Sequence, residues 1–190
     1  PTVTSTRQPQ TRFWPSLSTH VTDYTIQPDD PVSDEVKRIV RGKVETGIGH
    51  IDGEMGPHET VHEVRKRCKE VRAALRLVRG VLPTYSEENA WYRDAARELS
   101  EIRDATALIE TFDAHVERAV VETDRRDEID LSTCREELVH RRDEIADSRD
   151  LEDRLASVRE KLVEGLGRVD YLPIATEGYD AVAAGFRKSY

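Results

Sequence analysis

A cluster of basic side chains in one segment has the clearest chemical potential in this sequence. Residues 62–79 carry seven Lys and Arg residues against two glutamates, a net charge of +5 in a chain whose formal net charge is −9. On an α-helix, at about 100° per residue, five cation-capable residues share an arc of about 80° over a rise of about 21 Å. We call them the basic stripe: His62, Arg65, Lys69, Arg72 and Arg76. Guanidinium and ammonium groups bind phosphate oxygens, and repeated cations along one line favour an elongated polyanion.

A second interpretation of the same segment is a surface helix whose arginines pair with acidic neighbours. The stretch 122–154, with 13 acidic and 7 basic residues, could supply them, although it is itself typical of a solvated helix face laced with ion pairs. That interpretation suits scattered basic residues. It explains poorly a stripe with no acidic residue on its arc, so we favour the binding interpretation.

The segment 58–62 also fits the pattern H-E-x-x-H. Two histidines four residues apart on a helix can hold Zn²⁺ while the glutamate polarises a water, and Glu87 or Glu98 could be nominated as a third ligand. The extended pattern requires a Gly and a third His at positions that are Arg65 and Cys68 here. Flanking cations also disfavour a dication, and no strand pattern supports a protease. A zinc hydrolase is therefore kept as an alternative, as is a purely structural helical interaction protein.

Other catalytic and cofactor patterns are absent from the sequence. There is no G-x-S-x-G elbow, and Gly42-Lys43 is not a phosphate loop because Lys37 occupies the position of the expected first glycine. Cys68 and Cys134 form no C-x-x-C pair, and no apolar run approaches the ~20 residues of a membrane helix. We predict a cytoplasmic protein that is not an enzyme, has no cofactor and does not enter a membrane. The net acidic charge argues weakly against nucleic acid as the partner.

Prolines and glycines define the elements that must position the stripe. Five of the eight prolines precede residue 32, whereas residues 84–164 contain neither Gly nor Pro, which predicts long helices. The expected organisation is an irregular arm at 1–33, a four- to five-helix bundle at 34–170 and a further helix within 171–190. The apolar periodicity predicts an all-α bundle of six helices with these start signals: a Ser33 cap, Pro57, Ser86, a Thr133/Glu136 capping box, the apolar run from Leu151, and Glu177.

Three segments resemble the CHAD family, which is named for histidines on an α-helical domain. Residues 61–76 are similar to its V-H-x-x-R signature, with a basic residue and then V/L-R-x-x-L-R. Residues 97–105 are similar to its R-x-L-S-x-x-R-D-A run, and residues 24–39 resemble the entry to its first helix. The resemblance implies two four-helix halves, related by pseudo-symmetry, around a basic cavity. It also implies binding of inorganic polyphosphate and association with polyphosphate granules.

Transferred to this sequence, the resemblance places the basic stripe and Arg103 on the cavity wall, and Asp104 as a residue that orients its neighbours. With the adjacent Lys66, the predicted polyphosphate-binding residues are His62, Arg65, Lys66, Lys69, Arg72, Arg76 and Arg103. Residues 185–190 resemble the entry to the family's second half, so we expect this chain to contain the first half only. Tyr179, Val182 and Phe186 follow helical spacing, and we expect their apolar face to join two copies into a homodimer.

Overall fold

The computed structural model describes Ile26 and residues 30–123, 131–146 and 149–187 of the chain. Within these ranges there are seven α-helices, one 3-10 turn and no strand, which confirms the predicted all-α fold. Most of the predicted arm at 1–33 lies outside the described residues, as do residues 188–190. The helices are α1 Val32–Asp52, α2 Pro57–Leu77, α3 Tyr85–Glu98, α4 Ser100–Thr123, α5 Ser132–Ala146, α6 Arg149–Arg168 and α7 Tyr179–Arg187, with the 3-10 turn at Val169–Tyr171.

Helix α2 is the centre of the bundle. It packs against α1, α3, α4 and α7, while α6 packs against α1 and α3, and α5 packs on α4. Side-chain contacts give the direction of α1 and α2, since His50 lies opposite Glu63 and Lys43 lies opposite Glu70. Consecutive helices are therefore antiparallel here, as short connections require. None of the helices in the described ranges combines the length and apolar composition needed to cross a membrane.

The core fixes the rotation of α2 about its axis. Six apolar side chains at three- and four-residue spacing, five on α2 and one directly after it, are at most 1% exposed: Val61, Val64, Cys68, Val71, Leu75 and Val78. Burial of each of the larger ones contributes roughly 1.5–3 kcal/mol, so rotating the helix to bury any other face would cost far more than it gained. The predicted apolar arc is thus confirmed, and the basic stripe beside it is directed away from the centre of the core.

The predicted third helix is two helices, because the chain breaks at Leu99 between α3 and α4. The last carbonyl groups of α3 accept hydrogen bonds from side chains rather than from the backbone N–H groups of a further helical turn. The Ser100 hydroxyl donates to the Arg97 carbonyl oxygen at 2.6 Å, and the guanidinium of Arg65 donates to the Ala96 carbonyl oxygen. Side-chain bonds of this kind compete with the helical ladder, and the Arg65 contact spans 31 residues, which no local pattern shows.

Three predicted helix starts are misplaced. Pro31 precedes α1, and its carbonyl oxygen accepts from Asp34 N at 3.0 Å, so Ser33 lies inside the first turn and gives no side-chain cap. The backbone N–H of Ser33 donates instead to the carboxylate of Glu177 at 3.2 Å. Glu177 therefore precedes α7 and binds the N-terminus of α1, where a carboxylate is favourable. Helix α5 begins at Ser132, one residue before the predicted capping Thr133.

Candidate functional site

The outer edge of the basic stripe is formed by its solvent-exposed members. His62, Lys69 and Arg76 are exposed on α2, and the neighbouring Lys66 is 48% exposed. Within the part of the chain that the structure describes, neither Lys69 nor Arg76 has a carboxylate partner. Four cation-capable side chains thus follow one edge of α2 over about four helical turns, exposed to solvent.

The inner edge of the stripe faces α3. Arg72 Nε donates to Asn89 Oδ1 at 3.0 Å, and Arg65 Nη1 donates to the Ala96 carbonyl oxygen. Burial lowers the pKa of the Arg65 guanidinium; Arg103 acts in the same direction, and Asp104 opposes both. These two arginines are therefore half-buried residues that hold α3 against α2 while presenting part of each guanidinium at the surface.

Arg65 and Arg103 form a pair of close cations with unused donors. Arg103 Nη2 lies 2.9 Å from Glu110 Oε2, whereas its Nη1 and the Nε of Arg65 are buried with no hydrogen-bond partner among the described residues. An unpaired buried N–H costs about 1–3 kcal/mol, and two like charges repel. Both guanidiniums therefore have a hydrogen-bond donor that the described part of the chain does not satisfy, where α2 packs against α4.

The acidic residues of α2 lie outside the arc of the stripe. Glu63 and Glu70 are both held by Arg67, which is 17% exposed and lies on the α1 side of the helix. Arg79 is also engaged elsewhere, because its Nη2 donates to the carbonyl oxygens of Ala184 and Gly185 at the end of α7. The basic segment therefore divides into a structural side and a solvent side.

Helix α3 adds two basic residues that the sequence analysis did not assign. Arg97 is exposed and follows Ala96, the residue whose carbonyl oxygen binds Arg65. Arg93 precedes Arg97 by one turn and pairs with the adjacent Asp94 at 2.8 Å. The R-x-x-x-R spacing is visible in the sequence. The packing of α3 on α2 brings Asn89 and Ala96, which precede and follow Arg93 in the same helix, against Arg72 and Arg65 of the stripe.

The H-E-x-x-H residues are arranged differently from a metal centre. His58 Nε2 lies 3.4 Å from Asp143 Oδ1 of α5, and Glu98 is bound by Lys161 and by the Ser157 hydroxyl on the α6 side. Across residues 30–123, 131–146 and 149–187, no three His, Cys, Asp or Glu side chains are grouped to hold a metal ion. The geometry gives the zinc-hydrolase alternative no support.

A comparison with known families finds a match that covers most of the chain. The sequence model of the family described as CHAD domain matches residues 45–188. The chain belongs to the CHAD family. The matched region contains the whole basic stripe and Arg103, and membership is consistent with polyphosphate-related binding. Searches of the curated proteins and of the solved structures returned no match.

Proposed function

We propose that this CHAD domain binds inorganic polyphosphate, without chemistry of its own, along the outer edge of the basic stripe. The observation that carries the proposal is the separation of charge on α2. Lys69 and Arg76 are exposed on one side with no carboxylate partner among the described residues. His62 and Lys66 are exposed beside them, and Arg67 binds Glu63 and Glu70 on the other side, although Glu63 Oε1 also lies 3.4 Å from Lys66 Nζ and 3.9 Å from His62 Nε2. A linear polyanion can contact several of these cations at once and release the counterions condensed along its own chain. This release favours the polyanion over a single phosphate.

The corner at Arg65 and Arg103 provides the second element of the proposed site. The two guanidiniums have buried N–H donors without protein partners, and a phosphoryl oxygen is a strong acceptor for both. The exposed cations supply charge along the chain, and this corner supplies a fixed point for one phosphate unit. Arg72 contributes from the same inner edge, and Arg97 of α3 extends the positive surface.

The test is a polyphosphate titration at several salt concentrations, with charge reversal confined to the outer edge. The variant Lys69→Glu/Arg76→Glu should lose most of the affinity, about 100-fold or more at low salt, and the slope of log K against log salt should fall by about two. The matched control is Arg118→Glu/Arg141→Glu, which makes the same change of net charge at exposed positions on α4 and α5. Equal losses in both variants, or none in either, would contradict the proposal.

His62 is proposed as a phosphate hydrogen-bond donor. Bound phosphate favours the charged form of a histidine, so binding should tighten modestly towards acid pH, and His62→Ala should remove most of that dependence. Purified protein should contain no stoichiometric zinc. One zinc per chain that is lost in His58→Ala would favour the hydrolase alternative instead.

The cellular location follows from the ligand. We propose a cytoplasmic protein that collects at polyphosphate granules. A fluorescent fusion should form foci in cells that accumulate polyphosphate and become diffuse when the polymer is degraded by an exopolyphosphatase. The Lys69→Glu/Arg76→Glu variant should be diffuse in both. Foci that persist without polyphosphate would refute the granule association.

A homodimer through the C-terminal helix stays a prediction. Val182, the third residue of the predicted face, is buried in the core of the same chain at 8% exposure and cannot contribute. Tyr179 and Phe186 are 72% and 47% exposed, and their i, i+7 spacing places them on one face of α7. Such an apolar face commonly mediates self-association. Light scattering over a range of concentrations should show a dimer that Tyr179→Ser/Phe186→Ser converts to a monomer. A wild-type monomer at every concentration would contradict this prediction.

A further inference from the structure

Helix α2 itself contains carboxylates that can compete with a phosphate for its exposed cations. Glu63 and Glu70 lie within one helical turn of Lys66, at spacings of three and four residues that allow ion pairs on a helix. Lys66 Nζ is already 3.4 Å from Glu63 Oε1. A carboxylate that pairs fully with Lys66 or Lys69 must be displaced before a phosphate can bind that lysine.

Arg67 occupies the position between these two carboxylates. Its Nη2 lies 2.7 Å from Glu63 Oε2, and its Nη1 lies 2.8 Å from Glu70 Oε2. Both contacts have the short distance of a charge-assisted hydrogen bond. The side chain is largely covered by α1, so Arg67 is directed away from the solvent that a ligand would occupy.

Residues of α1 reinforce this arrangement. Lys43 Nζ lies 3.4 Å from Glu70 Oε2, and His50 Nε2 lies 3.7 Å from Glu63 Oε2. Burial acts to raise the pKa of Glu63, but the hydrogen bond from Arg67 and the charges of Lys66 and Arg67 outweigh it, so the pKa lies below its ordinary value. Glu63 is therefore ionised at neutral pH and would be a strong competitor once released.

There is room for the released carboxylates to move. A cavity of about 400 Å³, open to solvent, is lined by Lys43, Lys69, Glu70 and Ala73. It places Glu70 and Lys69 on the wall of the same space, with Lys43 and the small Ala73 side chain beside them. Without Arg67, Glu70 could turn into this space toward Lys69 or Lys66, and Glu63 could pair with Lys66 alone.

We propose that Arg67 is a positioning residue that holds Glu63 and Glu70 on the α1 side of α2. It thereby limits the pairing of Glu63 with Lys66 to one long contact and keeps Glu70 away from Lys69, so that both lysines can bind the polyanion. This role rests on the proposed polyphosphate binding. Arg67 itself contacts no ligand. This role differs from a general contribution of positive charge because Arg67 acts by orienting the carboxylates of Glu63 and Glu70.

A mutant cycle separates the loss of one positive charge from the release of the two carboxylates. The variants are Arg67→Gln, Glu63→Gln/Glu70→Gln and the triple glutamine variant, each titrated with polyphosphate at several salt concentrations. Arg67→Gln should weaken binding about tenfold at low salt and lower the salt slope by about one, as expected for the loss of one phosphate-binding cation. Removing the carboxylates should improve affinity less than about threefold when Arg67 is present and about tenfold or more when it is absent.

The control for net charge is Arg159→Gln. Arg159 pairs with Asp52 on the exposed α1–α6 surface, and its loss makes the same change of charge without releasing a carboxylate beside the stripe. Its affinity should change less than about twofold. If the cycle is additive, so that the carboxylates matter equally with and without Arg67, the positioning role is overturned while polyphosphate binding stands.

A measurement without polyphosphate keeps the role testable on its own. The rate at which an amine-reactive acetylating reagent modifies Lys66, followed by mass spectrometry, reports whether that lysine is paired. The rate should fall several-fold in Arg67→Gln and recover in the triple variant, with circular dichroism used to show that each variant is folded. An unchanged rate overturns the proposal, and absence of polyphosphate binding by the wild type overturns the proposed function separately.

Discussion

Gly185 allows α7 to lie against the end of α2 at a distance that no other residue permits. A Cβ atom at position 185 would lie 2.2 Å from the Leu77 carbonyl oxygen and 2.6 Å from Leu77 Cα. These are backbone atoms of a helix, which cannot move aside as a flexible side chain would. The substitution Gly185→Ala should therefore displace α7 by about 1 Å, because the methyl group needs a separation above roughly 3 Å.

Two opposing contributions set the size of the effect. Overpacking costs about 1–3 kcal/mol, whereas alanine favours a helix over glycine by about 1 kcal/mol. Displacement of α7 also moves the Ala184 and Gly185 carbonyl oxygens away from Arg79 Nη2, now 3.2 Å from each, and leaves a buried donor short of partners. We expect a net loss of about 1–2 kcal/mol, which for a chain of this size lowers Tm by roughly 2–8 °C.

The assay is urea and thermal denaturation together with hydrogen exchange of residues 179–187. Gly49→Ala is the matched control, because a Cβ on that helical glycine meets nothing within 4 Å and should stabilise the protein by about 0.5–1 kcal/mol. Undocking of α7 alone would appear as faster exchange in 179–187 with little change in the global midpoint. If Gly185→Ala instead raised the midpoint and the protection of 179–187 as a simple helix-favouring change, the close approach of α7 would be refuted.

Other expectations concern titratable groups. Only Cys134 should react with a thiol reagent in the native protein, because Cys68 is buried and burial raises its thiol pKa to about 12; two fast thiols would contradict this. Burial, and then Arg67, lower the pKa of His50, so the folded state resists its protonation and stability should fall as pH drops below the ordinary value of 6.5; His50→Gln should flatten that part of the profile. Glu63 has the opposite sign of effect: its stabilisation is complete above the ordinary pKa of 4.5 and is lost as pH falls through its lower folded value, a loss that Glu63→Gln should reduce.

The orientation of α2 could be predicted from sequence because it depends on local periodicity. Apolar residues at three- and four-residue spacing define the face that is buried, and the position of the stripe follows by geometry. The break at Leu99 could not be predicted, since it coincides with a contact from Arg65 that crosses 31 residues. Glu177 was misassigned for the same reason: its carboxylate caps a helix 144 residues away.

The neighbours of the stripe also depended on tertiary packing. The spacing of Glu63, Arg67 and Glu70 allows mutual ion pairs in any helix, but the sequence does not tell on which side of α2 those pairs lie. Packing of α1 against that side decides it, because Lys43 and His50 approach there. In the same way, Asn89 and Ala96 meet the arginines of the stripe only because α3 returns antiparallel to α2.

The two edges of the basic stripe therefore differ in role, although they form one pattern in the sequence: the inner edge contacts α3 and the outer edge is exposed to solvent. Arg65 and Arg72 bind α3, so reversing their charge would disturb the α2–α3 contact as well as any ligand site. Lys69 and Arg76 have no such contact within the described residues, so their reversal tests binding alone. A polyanion bound along the outer edge would derive its salt dependence from these exposed cations. Its register along α2 would be set where the unpaired donors of Arg65 and Arg103 meet a phosphate, because these two arginines present buried hydrogen-bond donors where α2 packs against α4.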